Sequence, residues 1–207
     1  MKNNKEKLFI VLLIILGIAS TALRLLPHMP NFAPIGALAL FTGLYSTRKS
    51  WLFIPLVVMF ISDAFIGFYD WKIMLVIYSS FLVYVAIGKI VKNNKSAFTI
   101  IGGTFAGALI FYLTTNFAVW YFSGMYPRTL QGLILCYEMA LPFFRNSLLG
   151  DVFYVGVFVG SYELAFKIFP ILLQKTRSIP YVRSVLPAGR QGYSILCVKL
   201  EALRYLI

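Results

Sequence analysis

Six long apolar segments, separated by short polar connectors, restrict the folds open to this sequence more than any other feature. Hydrophobic residues make up 60% of the chain and charged residues 13%, whereas about 25% of the residues of a soluble domain are charged. Because a helix rises about 1.5 Å per residue, about 20 apolar residues cross a bilayer core of roughly 30 Å. The sequence therefore predicts an all-α integral membrane protein. Its six predicted transmembrane helices lie at residues 8–26, 33–46, 51–68, 73–91, 97–122 and 139–166. The second is short for a full span, which predicts a thinned or tilted span or one partly buried among its neighbours.

The positions of lysine and arginine predict the orientation of these helices. If the N-terminus lies inside, the external loops carry only Lys72 and Arg128, while the remaining connectors are rich in basic residues. This asymmetry follows the positive-inside rule and predicts a multi-pass membrane protein with both termini in the cytoplasm. The net charge of +12 is then a topology signal within a lipid bilayer, and nucleic acid is not an expected partner.

Three regions follow from this pattern. Residues 1–7 form a cytoplasmic N-terminal segment, residues 8–169 a six-helix membrane domain, and residues 170–207 a cytoplasmic tail. The first apolar run exceeds the core of about 7 to 15 residues that is typical of a signal peptide, which favours a retained helix. The peptide LPAGRQG in the tail resembles a translated repeat, so residues 178–207 are left out of the functional argument.

Polar and charged residues inside the apolar segments are the candidates for function. An ionisable side chain at the bilayer centre costs at least about 2.5 to 3.5 kcal/mol. Each such residue is therefore expected to have a polar or charged partner or a functional role. Two interpretations remain open. In one, Asp63 pairs with Arg145 and the other polar residues join helices. In the other, the residues line a pocket that opens outward, and the arginines meet anionic or carbonyl groups of a ligand. The candidate ligand-binding residues are Arg24, His28, Asn31, Asp63, Asn116, Trp120, Arg145, Asn146 and Asp151.

Motifs for enzymatic chemistry do not occur in the sequence. It contains no phosphate-binding glycine loop, no H-E-x-x-H zinc motif and no G-x-S-x-G nucleophile elbow. Its two cysteines, Cys136 and Cys197, fall on opposite sides of the predicted membrane, so they predict neither a disulfide framework nor a metal site. We therefore expect no enzyme and no cofactor. Active uptake would need a partner ATPase or an ion gradient.

The stretch RLLPHMPNFAPIGALALFTG, residues 24–43, resembles the signature of an uncharacterised bacterial family of six-helix transport proteins. Later matches are Thr115-Asn116-Phe117 and PFFRNSLLGD, residues 142–151. That family is similar to the substrate-binding S components of energy-coupling factor (ECF) transporters. The resemblance implies an S-component-like bundle in a bacterial plasma (inner) membrane. This bundle would capture a vitamin or micronutrient, with a membrane-coupling subunit and ATPases supplied by other chains. One departure is that the first helix has Ala19 and Leu23 where S components carry a pair of alanines.

Three functions are consistent with these features. The first is the substrate-capture membrane component of a small-molecule importer that binds its ligand from the outer face. The second is a membrane scaffold or assembly subunit without a ligand, in which the polar residues only fix helix packing. The third is a stand-alone carrier in which Asp63 or Asp151 carries a coupling proton.

Overall fold

Six α-helices make up most of the chain in the computed structural model, which describes residues 2–27 and 29–177, with side chains for residues 6–27 and 29–168. No strand occurs in these residues, so the all-helical prediction is confirmed for them. The chain divides after Phe169, and all that follows concerns the first unit. His28 and residues 178–207 lie outside the described residues. The helices are α1 Lys2–Leu25, α2 Ile35–Tyr45, α3 Ile54–Ile66, α4 Trp71–Val91, α5 Ala97–Phe122 and α6 Leu130–Arg177, with a 3₁₀ turn, Lys49–Phe53, before α3.

Five helical segments are long and apolar enough to cross a membrane. The predicted second span, residues 33–46, is the exception, because α2 has only 11 residues. At about 1.5 Å per residue it covers about 16 Å, roughly half of the hydrocarbon core. Residues 33–46 are short for a full span in the sequence as well, so of the six predicted transmembrane helices five are long and apolar enough to cross a membrane and α2 is not. The five spanning segments are Glu6–Leu25, Lys49–Ile66, Trp71–Val91, Ala97–Phe122 and Leu130–Ile168.

The last helix is longer than the predicted span, residues 139–166. It begins at Leu130 and has 48 residues. Its first turns pack on α5, where the hydroxyl of Tyr137 donates to the carbonyl oxygen of Leu113 at 2.8 Å. Glu138 lowers the mean hydropathy of residues 130–138, so a search for apolar segments leaves these residues out of the predicted span. The helix α6 nevertheless includes these residues, and they pack on α5.

The short helix α2 lies at the centre of the bundle, and every one of its residues is buried. It packs most closely on α4, where two glycines let the backbones approach. A Cβ atom on Gly43 would overlap the carbonyl oxygen of Val85, and a Cβ atom on Gly88 would overlap that of Leu40. The crossing of α2 and α4 therefore has no room for side chains at these two positions.

Residues 26–34 connect α1 to α2, and we call them the re-entrant segment. The chain turns back into the bundle here, since the Cα atom of Phe32 lies 3.2 Å from the Cβ position of Gly150 on α6. Asn146 Nδ2 holds the segment by donating to the carbonyl oxygen of Pro30 at 3.1 Å. Non-helical backbone at membrane depth is tolerated where it is enclosed by protein or lines a cavity. The three prolines of the segment reduce the number of backbone N–H groups that need a hydrogen-bond partner, because a proline has no N–H group.

Candidate functional site

A cavity of about 580 Å³ lies where the re-entrant segment meets the first turn of α2. Most of its wall is apolar and comes from α1, α2, α3, α4 and α5, with the residues Leu25, Ala33, Ile35, Gly36, Met59, Ile66, Ile77, Phe81 and Phe111. Its polar lining residues come from five separate parts of the chain. They are Arg24, Asn31, Tyr69, Tyr84, Ser147 and Asp151.

Arg24 forms one wall of the cavity and is held there by α3. Its Nη2 atom lies 3.0 Å from Oδ1 of Asp63, which is buried. Its Nη1 atom donates to the hydroxyl of Ser62 and contacts the sulfur of Met59 at 3.0 Å. The second oxygen of Asp63 accepts a hydrogen bond of 2.9 Å from Tyr78. The positive charge of the Arg24 guanidinium is thus balanced by the carboxylate of Asp63, which does not line the cavity.

Asp151 lies on the cavity floor and closes the N-terminal end of α2. Its carboxylate accepts hydrogen bonds from the hydroxyl of Tyr84 and from the backbone N–H of Ala37. A Cβ atom on Gly36 would overlap this carboxylate, so the glycine makes room for it. Pro34, at the N-cap position, makes no side-chain cap. Asp151 supplies that cap from another helix, where the helix dipole favours a negative charge.

Tyr69 lies in the connector between α3 and α4 and also lines the cavity. Burial raises the pKa of its phenol to about 12, and the carboxylate of Asp63 acts in the same direction. Tyr69 is therefore neutral at physiological pH. It can donate or accept a hydrogen bond in the cavity.

Three further predicted residues relate to the cavity in different ways. Asn31 lines it and has a φ of 62°, in the left-handed region that asparagine tolerates better than most residues. Asn146 lies outside the lining and holds the re-entrant segment through Pro30. His28 belongs to the same segment but lies outside the described residues.

The other predicted residues lie away from the cavity. Asn116 Nδ2 donates to the carbonyl oxygen of Tyr112 on its own helix at 2.8 Å. Trp120 Nε1 donates to the carbonyl oxygen of Pro127 at 2.9 Å and so fixes the turn before α6. Arg145 is exposed. The expected pairing of Arg145 with Asp63 is wrong, because the partner of Asp63 is Arg24.

Four aromatic side chains and one serine of the cavity were not predicted from the sequence. Aromatic residues in a membrane helix can face lipid or protein. The presence of an aromatic residue in the sequence therefore does not predict that it lines a cavity. Tyr84 is the exception, because its position in a predicted span indicates a buried hydroxyl. A tyrosine hydroxyl deep in a span needs a hydrogen-bond partner, and buried acceptors are few. The missed residues are Tyr69, Phe81, Tyr84, Phe111 and Ser147.

Within the described part of the chain, no group of three or more His, Cys, Asp or Glu side chains lies close enough together to hold a metal ion. Cys136 is a free, buried thiol, and its Sγ atom donates to the carbonyl oxygen of Asn116 at 3.4 Å. The polar side chains that line the cavity carry hydrogen-bond donors and acceptors.

The chain belongs to a family of unknown function, DUF6580, and the match covers residues 2–172. The matched region includes all the residues that line the cavity. No curated protein and no solved structure matches the chain.

Proposed function

We propose that this protein is the substrate-capture membrane component of a small-molecule importer and that the cavity beside α2 is its binding site. The cavity itself is the observation that carries the proposal. Its volume of about 580 Å³ falls within the range of about 300 to 1,000 Å³ that is typical of small-molecule sites. A mostly apolar wall with a few converging polar groups is also typical of such sites. A scaffold would have no reason to leave this volume unfilled, because protein interiors are close-packed.

The distribution of basic residues supports a cavity that opens to the outer face of a bacterial plasma membrane. Arg48 and Lys49 precede α3, and Lys89 and Lys92 end α4. They lie at the far end of their helices from the cavity, where the amine of Lys92 donates to the carbonyl oxygen of Ser46 at 2.9 Å. The re-entrant segment and α2 together bring the chain back to the end where α1 begins, because Arg48, which follows α2, pairs with Glu6. The positive-inside rule assigns that end, and with it both termini, to the cytoplasm.

The resemblance to S components extends the proposal to partners. The ligand would be a vitamin or a similar micronutrient, and transport would depend on a membrane-coupling subunit and ATPases from other chains. The sequence agrees with this division of labour, since it lacks a nucleotide-binding motif.

Enlarging Ser147 should block the site. Ser147 lines the cavity from α6, so a leucine there would occupy space that a ligand needs. We expect Ser147→Leu to weaken binding by about tenfold or more, equivalent to about 1.4 kcal/mol, with little change in the melting temperature of the free protein. The measurement is the thermal stability of the purified protein in detergent against a panel of vitamins and related metabolites.

Ser161→Leu is the matched control, because Ser161 lies on the same helix and outside the cavity lining. It should bind like the wild type. If no metabolite stabilises the wild-type protein, the binding role is rejected and the scaffold function becomes the better explanation.

A further inference from the structure

Arg24 and Asp63 balance each other, so the ionised form of Asp151 leaves an excess of negative charge at the cavity. Arg24 is already engaged by Asp63 at 3.0 Å. Asp151 also lines the cavity and is only 4% exposed. Within the described residues its hydrogen-bond donors are the hydroxyl of Tyr84 and the N–H of Ala37, both neutral, and it forms no ion pair. Asp151 is therefore a buried acid that faces the cavity without a cationic partner.

This acid has unused capacity for a ligand. An ionised carboxylate offers about four acceptor positions, and two donors reach it from the protein. Burying a carboxylate without a cation is costly, and a positively charged group that enters the cavity would remove that cost. A negatively charged group would add to it.

The wall next to Asp151 is aromatic and also favours a cation. Phe81 lies between Phe111 and Tyr84, with ring centroids 5.3 Å and 6.2 Å away. All three rings line the cavity. The negative face of an aromatic ring attracts a cation within about 6 Å of its centroid, most strongly where water is excluded.

We propose that the cavity binds an organic cation, a molecule with a protonated nitrogen on an apolar or aromatic body, with the nitrogen directed at Asp151. The inference rests on the proposed binding function and narrows its ligand class. It differs from the expectation that the arginines meet an anionic group, because the guanidinium of Arg24 is occupied by Asp63.

The test compares three probes that share one indole body and carry a cationic, a neutral and an anionic end group: tryptamine, tryptophol and indole-3-acetate. Thermal stability and a binding isotherm are measured for the purified full-length protein in detergent, and the metabolite panel is sorted into cations, neutral compounds and anions. We expect stabilisation by tryptamine and by cationic members of the panel. Indole-3-acetate should bind at least about tenfold more weakly than tryptamine, because a hydrogen bond between charged groups contributes more than a neutral one.

Asp151→Asn removes the charge and keeps the shape. It should weaken tryptamine binding roughly 10- to 100-fold, and it should weaken tryptophol binding less than tryptamine binding. The control is Glu163→Gln. Glu163 is also a carboxylate on α6 that accepts from a tyrosine, at 2.6 Å from the hydroxyl of Tyr45, but it lies outside the cavity lining. If Asp151→Asn does not fold, the binding of the three probes to the wild-type protein tests the proposed ligand class by itself.

The two proposals fail in different ways. If anions or neutral compounds bind and cations do not, the ligand class proposed here is wrong, while the binding function stands. Equal binding of tryptamine by the wild type and by a folded Asp151→Asn protein would also overturn the role of Asp151. If neither the probes nor any panel member binds, both proposals are rejected.

Discussion

Gly43→Ala is expected to destabilise the protein by about 3 kcal/mol or more, which is the upper part of the range for overpacked cores. The added Cβ atom would overlap the carbonyl oxygen of Val85 and lie 2.9 Å from the Cα atom of Gly88. Both contacts are with backbone, so no change of rotamer relieves them. The helices α2 and α4 would have to separate, and α2 is buried on all sides. The measurement is melting temperature in detergent together with abundance in the membrane.

Gly102→Ala is the matched control for this substitution. Gly102 also lies inside a helix, α5, but a Cβ atom there meets nothing within 4 Å. Alanine in a helix interior is favoured over glycine by roughly 0.5 to 1 kcal/mol, so this variant should be as stable as the wild type or slightly more so. Equal loss of stability in both variants would mean that the close crossing of α2 and α4 is not what the glycine provides.

Arg24→Leu is expected to cost about 3 to 5 kcal/mol, the usual penalty for removing one partner of a buried ion pair. The carboxylate of Asp63 is 1% exposed and would remain without its cation. The double variant Arg24→Leu with Asp63→Asn should recover most of the loss, because an asparagine can still accept the hydrogen bond from Tyr78. Melting temperatures of the two single variants and the double variant measure this coupling.

Arg48→Leu supplies the comparison. Arg48 pairs with Glu6 at 2.6 Å, but its side chain is 65% exposed, and exposed pairs contribute at most about 1 kcal/mol. A loss in Arg24→Leu as small as that in Arg48→Leu would contradict the importance of the buried pair. So would a double variant that is no more stable than Arg24→Leu.

The full-length helices could be predicted where local signals coincide with the apolar pattern. The bounds predicted for α5, residues 97–122, are those observed. The hydroxyl of Ser96 accepts from the N–H of Thr99 at 3.1 Å and fixes the start of that helix. The length of residues 33–46 could not decide between a tilted or thinned span and a half-length helix that is buried among its neighbours.

The site was harder to predict because depth along a helix does not say which way a side chain faces. Arg24 and Asp151 were identified as polar residues within spans, and both line the cavity. Arg145 met the same criterion and is exposed. In a membrane helix the lipid-facing side and the protein-facing side are both apolar. Sequence periodicity therefore could not distinguish Arg145 from Asp151.

The half-length of α2 has a consequence for how the protein is made. An 11-residue helix falls well below the about 20 apolar residues that partition into a bilayer on their own. When α2 leaves the ribosome, its main packing partner α4 and its cap Asp151 have not yet been synthesised. We therefore expect α2 to settle into the membrane late, after the helices that follow it in the chain, so that the cavity beside α2 forms only after α6 has been inserted.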